Sequence, residues 1–184
     1  MSMSSSHVYG YGFECEEMPM HKTFRFIKNH IDSFKHIIQS GNHTAKYIQE
    51  CNTAIDELMN TNLDYMASLE NNCIDYELIY DNFTDLCEAW EKVNEDIEMY
   101  YLRDEIAAII NDETGLSIEY QMGQSDECEG HASIMLVETL PWNYTHFEKS
   151  LTSRDDFDNI IKPYVKELGY SMKNLDTLCI EYYG

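Results

Sequence analysis

The chain has 184 residues, an apolar share of 43% and a net charge of −22, with 12 Lys and Arg against 34 Asp and Glu. This length supports a domain with its own hydrophobic core, and the apolar share excludes an acidic disordered tail. No apolar run approaches the roughly 20 residues of a membrane span, and the N-terminus lacks the basic and apolar regions of a secretion signal. We therefore expect a folded protein of the cytoplasm, away from membranes.

The first third of the chain, 1–60, predicts one strand and two helices. The segment HVYGYGFE at 7–14 alternates large and small residues, as a strand does. A single helix over 20–40 is predicted from an apolar stripe with 3-4-3-4 spacing, ending at Gly41. The stripe consists of Phe24, Ile27, Ile31, Phe34 and Ile38. A second helix is expected over 44–59.

The segment 61–115 is an acidic helical region. The stretch LDYMASLE favours a short helix, whereas CIDYELIY is compatible with either a strand or a helix. When 82–101 is wound as a helix with Asp81 as its N-cap, seven apolar residues that include Trp90 share about 100° of arc. The opposite side carries carboxylates that only Lys92 interrupts: Asp81, Asp85, Glu88, Glu91, Glu95, Asp96 and Glu98. A new apolar stripe then begins at Leu102, and its helix ends at Gly115.

The last part, 116–184, predicts strands at 116–121 and 132–138, joined by an acidic loop. A helix follows up to Leu168, Gly169 ends it, and the final strand is LCIEYY. We therefore expect an α+β fold, with several amphipathic helices packed on a small, mostly antiparallel sheet. One compact unit is expected over 1–184, with 1–60, 61–115 and 116–184 as its parts.

The negative charge is concentrated in the middle of the chain. Residues 47–148 hold two Lys and Arg against 24 Asp and Glu, whereas 1–46 has a net charge of +1 and 149–184 of −1. Such a segment repels nucleic acid and anionic membranes and attracts a strongly basic partner. Direct DNA binding is therefore not expected.

Signatures of catalysis are weak. Gly-rich phosphate loops, His-Glu-x-x-His and Asp-x-Asp-x-Asp-Gly are all missing from the sequence. Cys128 and His131, flanked by Asp126, Glu127 and Glu129, could form part of a metal site, but zinc needs four ligands. The carboxylates of 155–158 could hold magnesium, although acidic residues are common in the first turn of a helix. We expect no cofactor or bound metal and no enzymatic activity, and six cysteines without a Cys-x-x-Cys pair predict reduced thiols.

The acidic helix is the strongest functional signal. Side chains three or four residues apart on a helix are about 5–6 Å apart, a spacing of the same order as that of DNA phosphates. Arginines and lysines that hold phosphates can pair with carboxylates instead. The sequence predicts partner-binding residues at the seven carboxylates of 81–98, helped by Asp126, Glu127 and Glu129.

Four segments carry a resemblance to a known family: VYGYGF, ETGLSIEYQ, LPWNY and ELGYSMKNLDTLCIEYYG. They resemble small proteins of phages and mobile elements from low-GC Gram-positive bacteria, among them anti-CRISPR inhibitors of type II-A RNA-guided nucleases. The resemblance covers both ends of the chain and is vaguer through the acidic middle. It implies a stoichiometric inhibitor that binds the nuclease with its guide RNA in the bacterial host and prevents engagement or cleavage of target DNA. It supplies no catalytic residues.

Three alternatives stay open. One is an antirestriction protein or another DNA-mimic decoy for a different DNA-binding protein. The second is a small metal- or thiol-dependent enzyme that uses the 126–131 loop, and the third is an acidic structural protein. The fourteen tyrosines permit a homodimer without requiring one.

Overall fold

The computed structural model describes residues 5–15, 18–72, 76–93, 103–123, 131–138 and 154–183. These ranges contain eight α-helices, a short 3-10 helix and four β-strands, so that helices predominate. The chain divides into two compact units. The helical unit is Pro19–Ile109, and the sheet unit comprises the described parts of Met1–Met18 and Ile110–Gly184. Among the described residues, no helix combines the length and hydropathy that a membrane crossing requires.

Among the described residues, the helical unit contains six complete helices and the beginning of a seventh. They are α1 Met20–Asn29, α2 Ile31–Ser40, α3 Ala45–Asn60, α4 Leu63–Asn72, α5 Tyr76–Asn82, α6 Thr84–Val93 and α7 Arg103–Thr114. The sequence predicted a single compact unit, whereas these helices bury a core of their own around Trp90, Leu58 and Met66. The helices of this unit therefore pack on one another, whereas we expected the helices to pack on a common sheet.

The expected single helix over 20–40 is broken at His30, which has φ −109° and ψ 31°. The reason is a shared packing partner. The rings of Phe24 in α1 and Phe34 in α2 lie 5.7 and 5.6 Å from the ring of Trp90, measured between centroids. Ten residues of a straight helix would separate Phe24 and Phe34 by about 15 Å along the axis. A bend at His30 lets both rings contact the same indole.

Two polar contacts fix the ends of α3. Thr44 is its N-cap, and the Thr44 hydroxyl accepts the backbone N–H of Tyr47 at 3.2 Å. At the other end, Lys28 of α1 donates to the backbone carbonyls of Leu58 and Met59 at 3.2 and 3.1 Å. A lysine satisfies the unpaired carbonyls of a helix C-terminus and complements its partial negative charge. The two hydrogen bonds of Lys28 therefore tie α1 to α3.

The sheet unit contains a four-stranded antiparallel sheet in the order β2-β3-β1-β4. Its strands are β1 Ser5–Glu14, β2 Ile118–Gly123, β3 His131–Glu138 and β4 Asp176–Tyr183. The pairing places Tyr11 opposite Leu136 on one side and opposite Thr177 on the other. The strand β1 is therefore central, although it precedes all other elements in the chain.

Helix α8, Arg154–Glu167, packs on this sheet. The Phe157 ring contacts Tyr11 edge-on, with 5.7 Å between centroids, and Phe13 lies 5.3 Å from Tyr170. Gly169 ends the helix with φ 87°, in the left-handed region that glycine tolerates best, as the sequence predicted. Gly115, with φ 72°, ends α7 in the same way.

Candidate functional site: the acidic face of helix α6

Helix α6 is held in the helical unit by an apolar side that the sequence located correctly. Leu86, Trp90 and Val93 are buried, and Trp90 has no exposed surface. Trp90 packs between Phe24 and Phe34, which makes it a central core residue, as predicted. This packing fixes the rotation of α6 about its axis, and therefore fixes which side chains face solvent.

The solvent side of α6 carries Asp85, Glu88 and Glu91, which are all exposed. At about 100° per residue they fall within about 120° of arc, opposite the buried side. We call these three residues the acidic face. Exposed Lys92 lies on the same side. Within the described part of the chain, no basic side chain forms an ion pair with any of the three carboxylates.

One neighbour of the acidic face is Tyr80 of α5, whose hydroxyl donates to Glu91 Oε2 at 3.3 Å. Partial burial raises the pKa of Tyr80, and the negative charges of Glu91 and Glu88 raise it further. The acidic face therefore produces a negative potential that a neighbouring group already senses. The same potential acts on any cation that approaches.

The N-terminus of the predicted acidic helix needs correction. Asp81 does not cap α6, because it lies within α5, which runs to Asn82. Helix α6 begins only at Thr84, whose hydroxyl donates to the backbone carbonyl of Tyr80 at 3.0 Å. Asp81 is exposed on α5, close in sequence to the acidic face but on a separate helix. The helix register therefore restarts at Phe83.

Several predicted residues lie outside the described residues. They are Glu95, Asp96 and Glu98, the far half of the predicted acidic helix, and Asp126, Glu127, Cys128 and Glu129, which lie in sequence between β2 and β3. His131 is the first residue of β3, and the structure describes only its backbone. The acidic face is therefore built on three of the ten predicted positions, with Asp81 beside it in sequence.

The carboxylates of 155–158 do not converge on a metal site. Asp155 and Asp156 are exposed in the first turn of α8, whereas Asp158 is partly buried and accepts a hydrogen bond from the Tyr11 hydroxyl at 3.4 Å. Among the described residues, no group of three or more His, Cys, Asp or Glu side chains is arranged to hold a metal ion. Asp155 and Asp156 lie where acidic side chains stabilise the start of a helix, which is the ordinary explanation given for them in the sequence analysis.

A buried polar cluster was not predicted from the sequence. Cys51 of α3 has no exposed surface, and burial raises the pKa of its thiol, on which Tyr47, one turn earlier, also acts. Glu105 of α7 acts electrostatically on both, and its Oε2 atom is buried without a hydrogen-bond partner in the structure. Burial raises the pKa of Glu105 to about 7, and the charge of Asp104 adds to this. The burial of Glu105 could have been inferred from its spacing in the sequence, because it precedes Ile109 by four residues and so lies on the same face of the helix.

Three of the six cysteines have side chains that the structure describes. Cys15, Cys51 and Cys87 are buried, and none of them forms a disulfide within the described part of the chain. Burial raises the pKa of Cys87 to about 12, and Glu91 of the acidic face contributes through its charge. A thiol with such a pKa stays protonated at neutral pH, which makes it a poor nucleophile.

No protein-family model, no curated protein and no solved structure matches this chain.

Proposed function

We propose that the protein is a non-catalytic acidic inhibitor, which uses the acidic face of α6 to occupy cationic side chains that otherwise hold nucleic-acid phosphates. One observation carries this proposal: the exposed carboxylates of α6 have no basic partner within the described residues, while the opposite side of the helix is locked in the core. A solubilising helix usually interleaves lysines, because like charges three or four residues apart destabilise it.

The geometry suits recognition of arginine and lysine side chains. Asp85 and Glu88 are three residues apart, and so are Glu88 and Glu91, which places neighbouring Cβ atoms about 5–6 Å apart. Cations that bind successive phosphates can bind carboxylates at such a spacing, arginine often bidentately. Because Trp90 anchors the helix, the backbone that carries the carboxylates is fixed before the partner arrives, which lowers the entropy lost on binding.

For the partner, we propose a type II-A CRISPR nuclease with its guide RNA, in the cytoplasm of a bacterial host. The resemblance of both chain ends to anti-CRISPR proteins supports this choice. Such nucleases read the target-adjacent motif with arginines and hold nucleic acid in positively charged channels. Carboxylates placed there would prevent target DNA from being engaged or cut. No cofactor takes part in this mechanism.

The test is a titration of the protein into a nuclease–guide RNA complex, with target DNA binding and cleavage measured separately. We expect activity to be lost near molar equivalence. The variant D85K/E88K should lose inhibition, because it reverses two adjacent charges of the acidic face. The variant D32K/D56K is the matched control: it reverses two exposed carboxylates on α2 and α3, changes the net charge equally, and should inhibit like the wild type.

Each other outcome has a defined meaning. Inhibition by folded D85K/E88K equal to that of the wild type would contradict the role of the acidic face. Inactivation far below equivalence would indicate an enzyme and direct attention to Cys128 and His131. If several type II-A nucleases are unaffected, the nuclease is the wrong partner, and restriction enzymes and DNA-binding repressors become the next proteins to titrate.

A further inference from the structure

An exposed aromatic patch lies in the helical unit near the acidic face in sequence. Three large hydrophobic side chains are exposed in the described ranges: Met59 at 49%, Tyr65 at 47% and Leu78 at 38%. Tyr65 reaches from α4 to the end of α5, where its hydroxyl donates to Asn82 Oδ1 at 3.3 Å. The Tyr65 ring lies 5.8 Å from that of Phe83, between centroids. Leu78 is one turn before Asn82 on the same side of α5, so we define Tyr65, Leu78 and Phe83 as the aromatic patch.

Carboxylates border the aromatic patch. Asp81 is exposed three residues after Leu78 and therefore lies next to it on the surface of α5. Asp64, which precedes Tyr65, has a side chain that is 90% exposed. Asp64 Oδ1 binds the guanidinium of Arg25 at 2.6 Å, so the charge of Asp64 is already paired, and Asp81 is the carboxylate beside the patch that remains for a partner.

An aromatic ring beside carboxylates favours arginine over lysine. The guanidinium is planar and weakly hydrated, it stacks on aromatic faces, and it pairs with carboxylates through parallel hydrogen bonds. The ammonium of lysine is strongly hydrated and gains less from a half-exposed ring. The acidic face by itself attracts both cations, whereas the aromatic patch distinguishes them.

We propose that the aromatic patch and Asp81 are a docking site for an arginine-bearing segment of the partner protein, with one guanidinium stacked on Tyr65 and paired with Asp81. The inference rests on the proposed function, because it takes the partner to be a protein with a cationic groove. It adds that arginines, and not lysines, supply the specific contacts. The negative charge of Asp81 complements such a segment, and Leu78 covers the aliphatic part of an arginine side chain.

The test uses the full chain and two labelled peptides of equal length, oligoarginine and oligolysine, at one ionic strength. The readout is the dissociation constant of oligolysine divided by that of oligoarginine. Variants are compared with the wild type by this ratio, because carboxylates alone already favour oligoarginine. The variant Y65A/L78S should lower the ratio by roughly two- to fivefold, the amount expected for one exposed cation–π contact. The variant Y65F keeps the ring and should keep the ratio. The variant M59S removes an equally exposed apolar side chain of α3 and should also keep it.

The proposal is overturned if the wild type binds the two peptides equally, if it binds neither, or if Y65A/L78S retains the wild-type ratio. These results are separable from a failure of the proposed function. The peptide ratio reports on the aromatic patch, whereas the nuclease titration with D85K/E88K reports on the acidic face. Because Tyr65 also contacts Asn82 and Phe83, thermal unfolding of Y65A/L78S is measured first, and the peptide ratio is compared at a temperature at which the variant is folded.

Discussion

The carboxylate of Glu70 in α4 binds His21 in α1 twice, through the ring Nδ1 and through the backbone N–H at 3.0 Å. The same carboxylate accepts the backbone N–H of Met20 at 2.8 Å. Pro19, at the N-cap of α1, supplies no capping side chain. Glu70 therefore satisfies two of the backbone donors that a helix N-terminus leaves unpaired, from another helix and 49 residues away in sequence.

The variant E70Q tests this long-range cap. Burial disfavours the charged carboxylate, but hydrogen bonds from His21 and Met20 and the charge of His21 outweigh it and lower the pKa of Glu70. The carboxylate thus stabilises the fold above its unfolded pKa, and this contribution is lost as the pH falls through the lower folded pKa. We expect E70Q to lower the free energy of unfolding by about 1–3 kcal/mol at pH 7. In urea unfolding, the difference in free energy of unfolding between E70Q and the wild type should become smaller below about pH 4.

The variant E105Q is expected to have the opposite pH dependence. Because burial raises the pKa of Glu105 to about 7, the folded state binds an extra proton between the ordinary value of 4.5 and that pH. The contribution of Glu105 to stability is therefore full below about pH 4.5 and declines as the pH rises to about 7. The free energy of unfolding of E105Q, relative to that of the wild type, should rise by about 1–3 kcal/mol between pH 4.5 and pH 8. The exposed-site variant E88Q is the control, and an equal gain in E88Q would attribute the effect to net charge alone.

Lys28 offers a test of helix termination by a side chain. It donates to the backbone carbonyls of Leu58, Met59 and Thr61, at 3.2, 3.1 and 3.4 Å. The variant K28M keeps the aliphatic stem and removes the donor, and we expect it to lower the free energy of unfolding by about 1–2 kcal/mol. K35M, at an exposed position on α2, should change it by less than about 0.5 kcal/mol in the same denaturant titration.

The salt dependence of inhibition follows from the acidic face. Added salt screens the attraction between exposed charges, so the inhibition constant should rise with ionic strength. The variant D85N/E88N removes two of these charges without reversing them and should show a shallower dependence. D32N/D56N, which neutralises two exposed carboxylates on other helices, should retain the wild-type slope. Equal slopes for all three proteins would argue against the acidic face as the contact surface.

Local patterns predicted much of the secondary structure. The 3.6-residue period of apolar residues located the buried side of α6, and glycines after the last apolar residue located the ends of α7 and α8. The break at His30 was missed because its cause is a tertiary contact. Trp90, which is distant in sequence, packs against both Phe24 and Phe34. An apolar stripe with continuous spacing gives no sign of such a bend.

The candidate site was predicted in part. The exposed carboxylates Asp85, Glu88 and Glu91 follow from helical spacing, whereas the position of Asp81 depends on a junction between two short helices. The contacts of Glu70 join helices that are far apart in sequence, so no local rule identifies them. Exposure of Tyr65 was also beyond prediction, because an aromatic residue in an amphipathic helix is usually assigned to the core.

The central position of β1 has a consequence for biosynthesis. Its two neighbours, β3 and β4, emerge from the ribosome only after α1–α7, since Pro19–Ile109 is inserted between β1 and the rest of the sheet unit. Long-range strand pairing of this kind is slow, whereas contacts between nearby helices form quickly. The helical unit can thus fold while β1 still waits for its partners. During synthesis, the acidic face would be assembled before the sheet exists.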